Sequence, residues 1–145
     1  MKIIETEVHI SASPERVWDV LTDFEKFPEW NPFIRTVEGK VRVGARLTVR
    51  IATPSGKEMT FKPTVKSATE EKEFSWLGHF LFPGLFDGEH IFIIKSSEAG
   101  CVLLQQEKFG GLLVPLMWKS LGQDTRAGFE QMNQALKERA EKSGI

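Results

Sequence analysis

Ser13-Pro14-Glu15-Arg16-Val17-Trp18, followed by an aromatic and proline-rich turn at Phe27-Pro28-Glu29-Trp30-Asn31-Pro32-Phe33, decides the fold of this chain. Ser13 reads as a helix N-cap with Pro14 at the first helical position, where a missing N–H costs nothing. Val17, Trp18 and Leu21 share one face at helical spacing, and Pro28 and Pro32 prevent the helix from continuing, so it is short. Two indoles within one helix-and-turn segment need a concave partner. The rest of the chain supplies a sheet and one long helix, and the combination argues for a pocket.

Working outward, Ile4, Thr6, Val8 and Ile10 alternate with Glu5, Glu7 and His9, the period-2 pattern of a half-buried strand. From Ile34 to Phe109 the pattern is mostly strand, punctuated at Glu38-Gly39, Val43-Gly44, Pro54-Ser55-Gly56, Glu70-Glu71-Lys72, Pro83-Gly84 and Glu98-Ala99-Gly100. Leu47, Val49 and Ile51 form one alternating strand; Met59, Phe61, Pro63 and Val65 read as another. After Gly110-Gly111 the period becomes helical, with Trp118, Leu121, Thr125, Phe129, Met132 and Leu136 as a stripe. A kink is expected near Pro115 or Gly122, and fraying over the charged tail from Lys137 to Ile145. An antiparallel sheet with one apolar face and a long amphipathic helix make an α+β domain in which the sheet curls around the helix.

The last hairpin permits a residue-level expectation. A loop of Ser97, Glu98, Ala99 and Gly100 pairs Ile94 with Leu103, Phe92 with Gln105, and His90 with Glu107. Opposed residues of antiparallel strands share a face, so His90, Phe92 and Ile94 join Leu103, Glu107 and Phe109 in facing the helix. A slip of two residues would keep that face and change the His90 partner. Ile91, Ile93, Val102 and Leu104 then fall on the outer face, where loops or a second subunit would cover them, and a homodimer through this patch is one expectation.

Composition bounds the function. The chain has 145 residues, enough for one domain spanning residues 1–145 that buries about 68–70% of its unfolded surface. Nineteen basic residues against twenty acidic ones leave no electrostatic footprint for nucleic acid. Cys101 is the single cysteine, so no internal disulfide forms, and it reads as a small core hydrophobe. The start Met1-Lys2-Ile3-Ile4-Glu5 lacks the apolar run of a signal peptide, and no segment approaches the roughly 20 apolar residues of a membrane helix; a cytoplasmic protein without membrane insertion is expected. There is no phosphate-binding glycine loop, nucleophile elbow or His pair at ligand spacing, and three scattered histidines make a poor metal set, so no metal or cofactor is expected. The chain has no tyrosine, which removes the phenol as a general acid.

The order of these segments resembles the START-like helix-grip superfamily, also called SRPBCC, in its polyketide cyclase/dehydrase and lipid-transport branch. The resemblance runs from Ser11-Ala12-Ser13-Pro14-Glu15-Arg16-Val17-Trp18 through Trp30-Asn31-Pro32-Phe33 and Gly88-Glu89-His90-Ile91-Phe92. It continues through the stretches from Glu107 to Pro115 and from Thr125 to Lys137, and so covers nearly the whole chain. It implies about seven strands, two short helices after the first of them, and a long C-terminal helix enclosing a hydrophobic cavity. The superfamily includes lipid carriers, receptors, cyclases and chaperone activators, so it leaves the chemistry open.

His90 and Glu107 are the polar candidates, because a buried imidazole or carboxylate without a partner costs several kcal/mol or is forced neutral. Such a pair in an apolar wall can orient a ligand, act as acid and base, or satisfy itself as a structural pair. Trp30, Asn31, Phe33, Phe61, Trp76, Phe92, Trp118, Phe129 and Met132 are the remaining candidates. Trp30 could line the mouth or plug the core. Asn31 could offer an amide to a ligand, or serve the turn before Pro32. Phe61, Trp76 and Phe92 read as wall, and Trp118 and Met132 as helix core. The expected function is binding of a small hydrophobic ligand, lipid, aromatic or polyketide-like, between sheet and helix. One alternative is a cyclase or dehydratase-type enzyme using His90 and Glu107 as acid and base; another is a chaperone-type helper that acts on a protein partner through the Ile91, Ile93, Val102 and Leu104 patch.

Overall fold

The computed structural model describes residues 1–79 and 82–142. β1 (Lys2–Ile10) leads into α1 (Pro14–Thr22), a 3-10 turn (Phe24–Lys26) and α2 (Phe27–Trp30). Ser13 is the N-cap: its side chain accepts from the Arg16 amide at 3.1 Å, with Pro14 in the first turn. Seven further strands are β2 (Ile34–Glu38), β3 (Thr48–Ala52), β4 (Glu58–Phe61), β5 (Thr64–Thr69), β6 (Glu73–His79), β7 (Asp87–Ser97) and β8 (Gly100–Gly110). The chain closes with α3 (Val114–Glu141). The antiparallel strands form a five-stranded sheet, β1-β8-β7-β6-β5, and a three-stranded sheet, β2-β3-β4. The expected α+β helix-grip architecture is the one observed.

The strand count is eight where about seven were expected, and Pro63 is the reason. The alternation from Met59 to Val65 reads as one strand, but Pro63 has no N–H to give a ladder and separates β4 from β5. β4 then pairs with β3, and β5 with β6. The two sheets meet here through Leu47 N–H to Pro63 O and Val65 N–H to Ala45 O, each 2.9 Å.

α3 lies against β1, β8 and α1. Thr125, Phe129, Met132 and Leu136 of its stripe are buried, while Trp118 and Leu121 are partly buried. Pro115 sits in the first helical turn, where it is tolerated. The expected fraying is not found through residue 142. Arg16 donates to the carbonyls of Arg139 (3.1 Å), Ala140 (3.3 Å) and Lys142 (3.5 Å), supplying the partners that a helix end lacks. Glu141 also accepts from the Ser11 amide and from Lys137, both at 2.7 Å. Ser143, Gly144 and Ile145 lie outside the described residues.

On the outer face, Ile91 is 8% exposed, and Ile93, Val102 and Leu104 are partly exposed. Ile93 and Leu104 face each other, and the residues around them are polar: Gln106 and Ser75 flank Ile91, His9 and Lys95 flank Val102, and Glu7 and Glu73 end the row of Leu104 and Ile93. The Gln106 amide donates to Glu5 at 2.7 Å in that same layer. Cys101 is buried, and burial pushes its thiol above the ordinary range, as befits an inert core side chain.

Candidate functional site

The β7–β8 register is the expected one: Ile94 faces Leu103, Phe92 faces Gln105 and His90 faces Glu107. The ladder runs to Ser97 opposite Gly100, so the turn proper is Glu98-Ala99. His90 is 1% exposed and enclosed by aromatic rings, with centroids at 5.1 Å to Trp76, 4.6 Å to Phe92 and 4.9 Å to Phe129. Its Nδ1 lies 3.3 Å from Glu107 Oε1, and the Glu107 side chain is 17% exposed. The pair therefore has one member inside the aromatic cage and one at its margin.

Three residues that sequence reasoning passed over extend the pair across the interior. His90 Nε2 is 2.9 Å from Gln105 Oε1. Gln105 Nε2 donates to Asn133 Oδ1 at 2.7 Å, Asn133 Nδ2 to Thr6 Oγ1 at 2.8 Å, and the Thr6 hydroxyl to Gln105 O at 3.1 Å. Gln105 Nε2 also faces the Phe129 carbonyl at 3.5 Å. The signal for Gln105 was present: it occupies the inward position between Leu103 and Glu107, and polarity hid it from a search for apolar wall. Thr6 lies in the inward row of β1, and Asn133 is one turn beyond Phe129 on α3. A buried donor or acceptor without a partner costs about 1–3 kcal/mol, so a satisfied chain holds sheet, helix and imidazole in one arrangement.

The other candidates separate by position. Trp76, Phe92, Phe129 and Met132 are fully buried around His90 and along α3. Phe33 is buried against Phe129 at 5.7 Å, over Gly128, where a Cβ would collide with its ring. Trp30 is partly buried and packs edge-on to Phe27 at 5.2 Å. Asn31 performs turn chemistry, its Oδ1 accepting from the amides of Phe33 (3.0 Å) and Ile34 (2.8 Å). Its Nδ2 is the one buried side-chain polar atom without a partner among the described residues, and so an uncommitted donor. Phe61 ends β4 beside Gly78, and Trp118 lies against Phe109 at 5.7 Å with Lys2 Nζ 5.8 Å from its ring.

Glu107 opens toward one end of the molecule. Gly78 and Gly88 are paired neighbours on the inward face there, and Glu107 Oε2 occupies the space above Gly88. Beyond it, the amides of Leu112 and Leu113, at the start of α3, donate to Gly84 O and Leu85 O. Phe82, Leu112, Leu116 and Met117 are exposed at this end, Leu112 and Leu116 by 81% and 85%. Two surface clefts lie elsewhere. One of about 300 Å³ is bordered by Pro28, Arg35, Arg50 and Met59, and one of about 610 Å³ by Pro14, Glu70, Lys72 and Ser96. Among the described residues no cluster of His, Cys, Asp or Glu is placed to hold a metal ion, and no helix is long and apolar enough to cross a membrane.

A curved sheet closed by one long helix, with a polar pair set into the apolar wall between them, is the helix-grip class. The chain belongs to the polyketide cyclase/dehydrase and lipid transport family, whose model matches residues 1–141. Solved structures agree on the fold. Protein MLL2253 from Mesorhizobium loti is 20% identical with a TM-score of 0.77, the match covering 99% of this chain and 100% of that one. Ara h 8.0201 is 15% identical with a TM-score of 0.72, covering 98% and 99%. The di-domain ARO/CYC protein StfQ of the steffimycin biosynthetic pathway is 14% identical with a TM-score of 0.68, covering 96% of this chain and 51% of that one. No curated protein matches by sequence.

Proposed function

We propose that this protein holds a small hydrophobic molecule, lipid, aromatic or polyketide-like, between the five-stranded sheet and α3, with the polar end of the ligand at Glu107 and His90. The observation that carries this reading is the imidazole–carboxylate pair in an aromatic wall, with His90 sealed and Glu107 reaching outward. Few convergent polar groups in an apolar enclosure are what orient a small ligand. Trp76, Phe92, Phe129 and Trp118 supply the wall. The ligand is admitted where the β6–β7 loop meets the start of α3, the end at which Glu107 opens and apolar side chains stand exposed. The family description, which includes lipid transport, supports the same reading.

The test is native mass spectrometry of protein purified from its own host, followed by denaturing extraction. A co-purifying apolar metabolite is expected. A clean apo mass, together with no shift in melting temperature across lipids and aromatic polyketides, overturns the reading.

A second reading is supported by the 3.3 Å contact between His90 and Glu107 and by the cyclase and dehydrase part of the family description. Here the pair acts as acid and base on a bound polyketide-like substrate. Glu107→Gln separates the two: a carrier loses a modest part of its affinity, whereas an enzyme keeps binding and loses turnover.

A further inference from the structure

The hydrogen-bond chain running from Thr6 to His90 fixes more than geometry. It begins at two groups that can only accept, the carbonyls of Gln105 and Phe129. The Thr6 hydroxyl must donate to the first, so its oxygen receives Asn133 Nδ2. Asn133 Oδ1 then faces Gln105, whose Nε2 also faces the Phe129 carbonyl. That leaves Gln105 Oε1 toward the imidazole, and His90 Nε2 must carry a hydrogen.

The other ring nitrogen, Nδ1, is 3.3 Å from Glu107 Oε1. This approach is a close polar contact without hydrogen-bond geometry, so the ring is held through Nε2 and the Glu107 carboxylate stays free to serve another donor. Glu107 Oε2 is the oxygen lying over Gly88, and an oxygen of an ionised carboxylate can only accept.

Resting on the ligand-binding reading above, we infer that this site selects ligands whose polar end is a hydrogen-bond donor, an alcohol or phenol, over ligands ending in a carboxylate. A hydroxyl donates to Oε2 and completes the chain. A carboxylate places acceptor against acceptor and charge against like charge, beside a side chain that is mostly buried.

The experiment compares matched pairs by calorimetry: 2-naphthol with 2-naphthoate, decanol with decanoate, and geraniol with geranate. The wild type is expected to bind the hydroxyl member about tenfold or more tightly, the range of one hydrogen bond to a charged group. Glu107→Gln keeps the preference, because its amide nitrogen can donate to His90 Nδ1 and leave the amide oxygen in the Oε2 position. Glu107→Leu removes the preference, and its melting temperature reports whether the fold survives; the wild type and Glu107→Gln decide the matter if it does not. Carboxylates bound as tightly as their alcohols in the wild type overturn the inference and leave ligand binding standing. Binding of neither member of any pair overturns the ligand-binding reading, and this inference with it.

Discussion

Gly88 lies directly beneath the carboxylate of Glu107: a Cβ at this position would stand 2.5 Å from Glu107 Oε2. Glycine weakens a strand interior by roughly 0.5–1 kcal/mol relative to alanine, so this cost is offset by room for the side chain above. Gly88→Ala is expected to leave the melting temperature unchanged or slightly raised while moving the flexible Glu107 head aside and weakening ligand binding several-fold. Calorimetry on the variant checks this, and unaltered affinity would show that the space above Gly88 is incidental.

Gln105 joins His90 to Asn133. Replacing it by leucine orphans His90 Nε2 and Asn133 Oδ1 in the interior, at about 1–3 kcal/mol for each unpaired group. Urea unfolding of Gln105→Leu should show a loss of about 2–4 kcal/mol. The double variant with Asn133→Leu should cost less than the sum of the single losses, because both remove the same link.

Arg16 caps the far end of α3 through three backbone carbonyls. Arg16→Met keeps the aliphatic stem and removes the guanidinium, with an expected loss of about 1–2 kcal/mol. Amide exchange should accelerate in the last helical turn, around Glu138 to Lys142, well before the rest of the helix. Uniform acceleration along α3 would contradict a local cap.

Asp124 of α3 holds the tip of the β3–β4 hairpin, accepting from the Ser55 amide at 3.1 Å and its hydroxyl at 2.7 Å. Burial favours the neutral acid here, but hydrogen bonds from Ser55 and Thr53, with the Lys57 charge, outweigh it and hold the carboxyl below its ordinary 3.8. A depressed folded value makes the contribution complete above the unfolded value and lost as pH falls through the folded one. The Ser55 amide resonance should therefore titrate with a midpoint below 3.8 and lose that titration in Asp124→Asn. A midpoint above 3.8 would reverse the sign of the contact.

The parts of this fold that were legible in sequence are those governed by local period. Alternation set the faces of β7 and β8, a loop centred on Glu98-Ala99 and read as Ser97 to Gly100 set their register, and together they placed His90 opposite Glu107. Ser13 and Pro14 announced α1 for equally local reasons. The features that stayed hidden depend on long-range meetings. Arg16 finds the end of α3 across nearly the whole chain, and Gln105, Asn133 and Thr6 come from three elements that only the fold assembles. Pro63 lay in plain view, yet the apolar rhythm around it masked the break.

The polar ties on α3 gather toward its C-terminal end, where Arg16 holds the last turn. Its last turns are clamped to α1 and to Ser11, while Leu112 and Leu113, just before its first turn, are held by the carbonyls of Gly84 and Leu85. Loss of those two hydrogen bonds would free the segment before the helix and leave the Asn133 and Arg16 attachments whole. On the ligand-binding reading proposed above, a guest would then exchange at the cost of a local opening, below that of global unfolding.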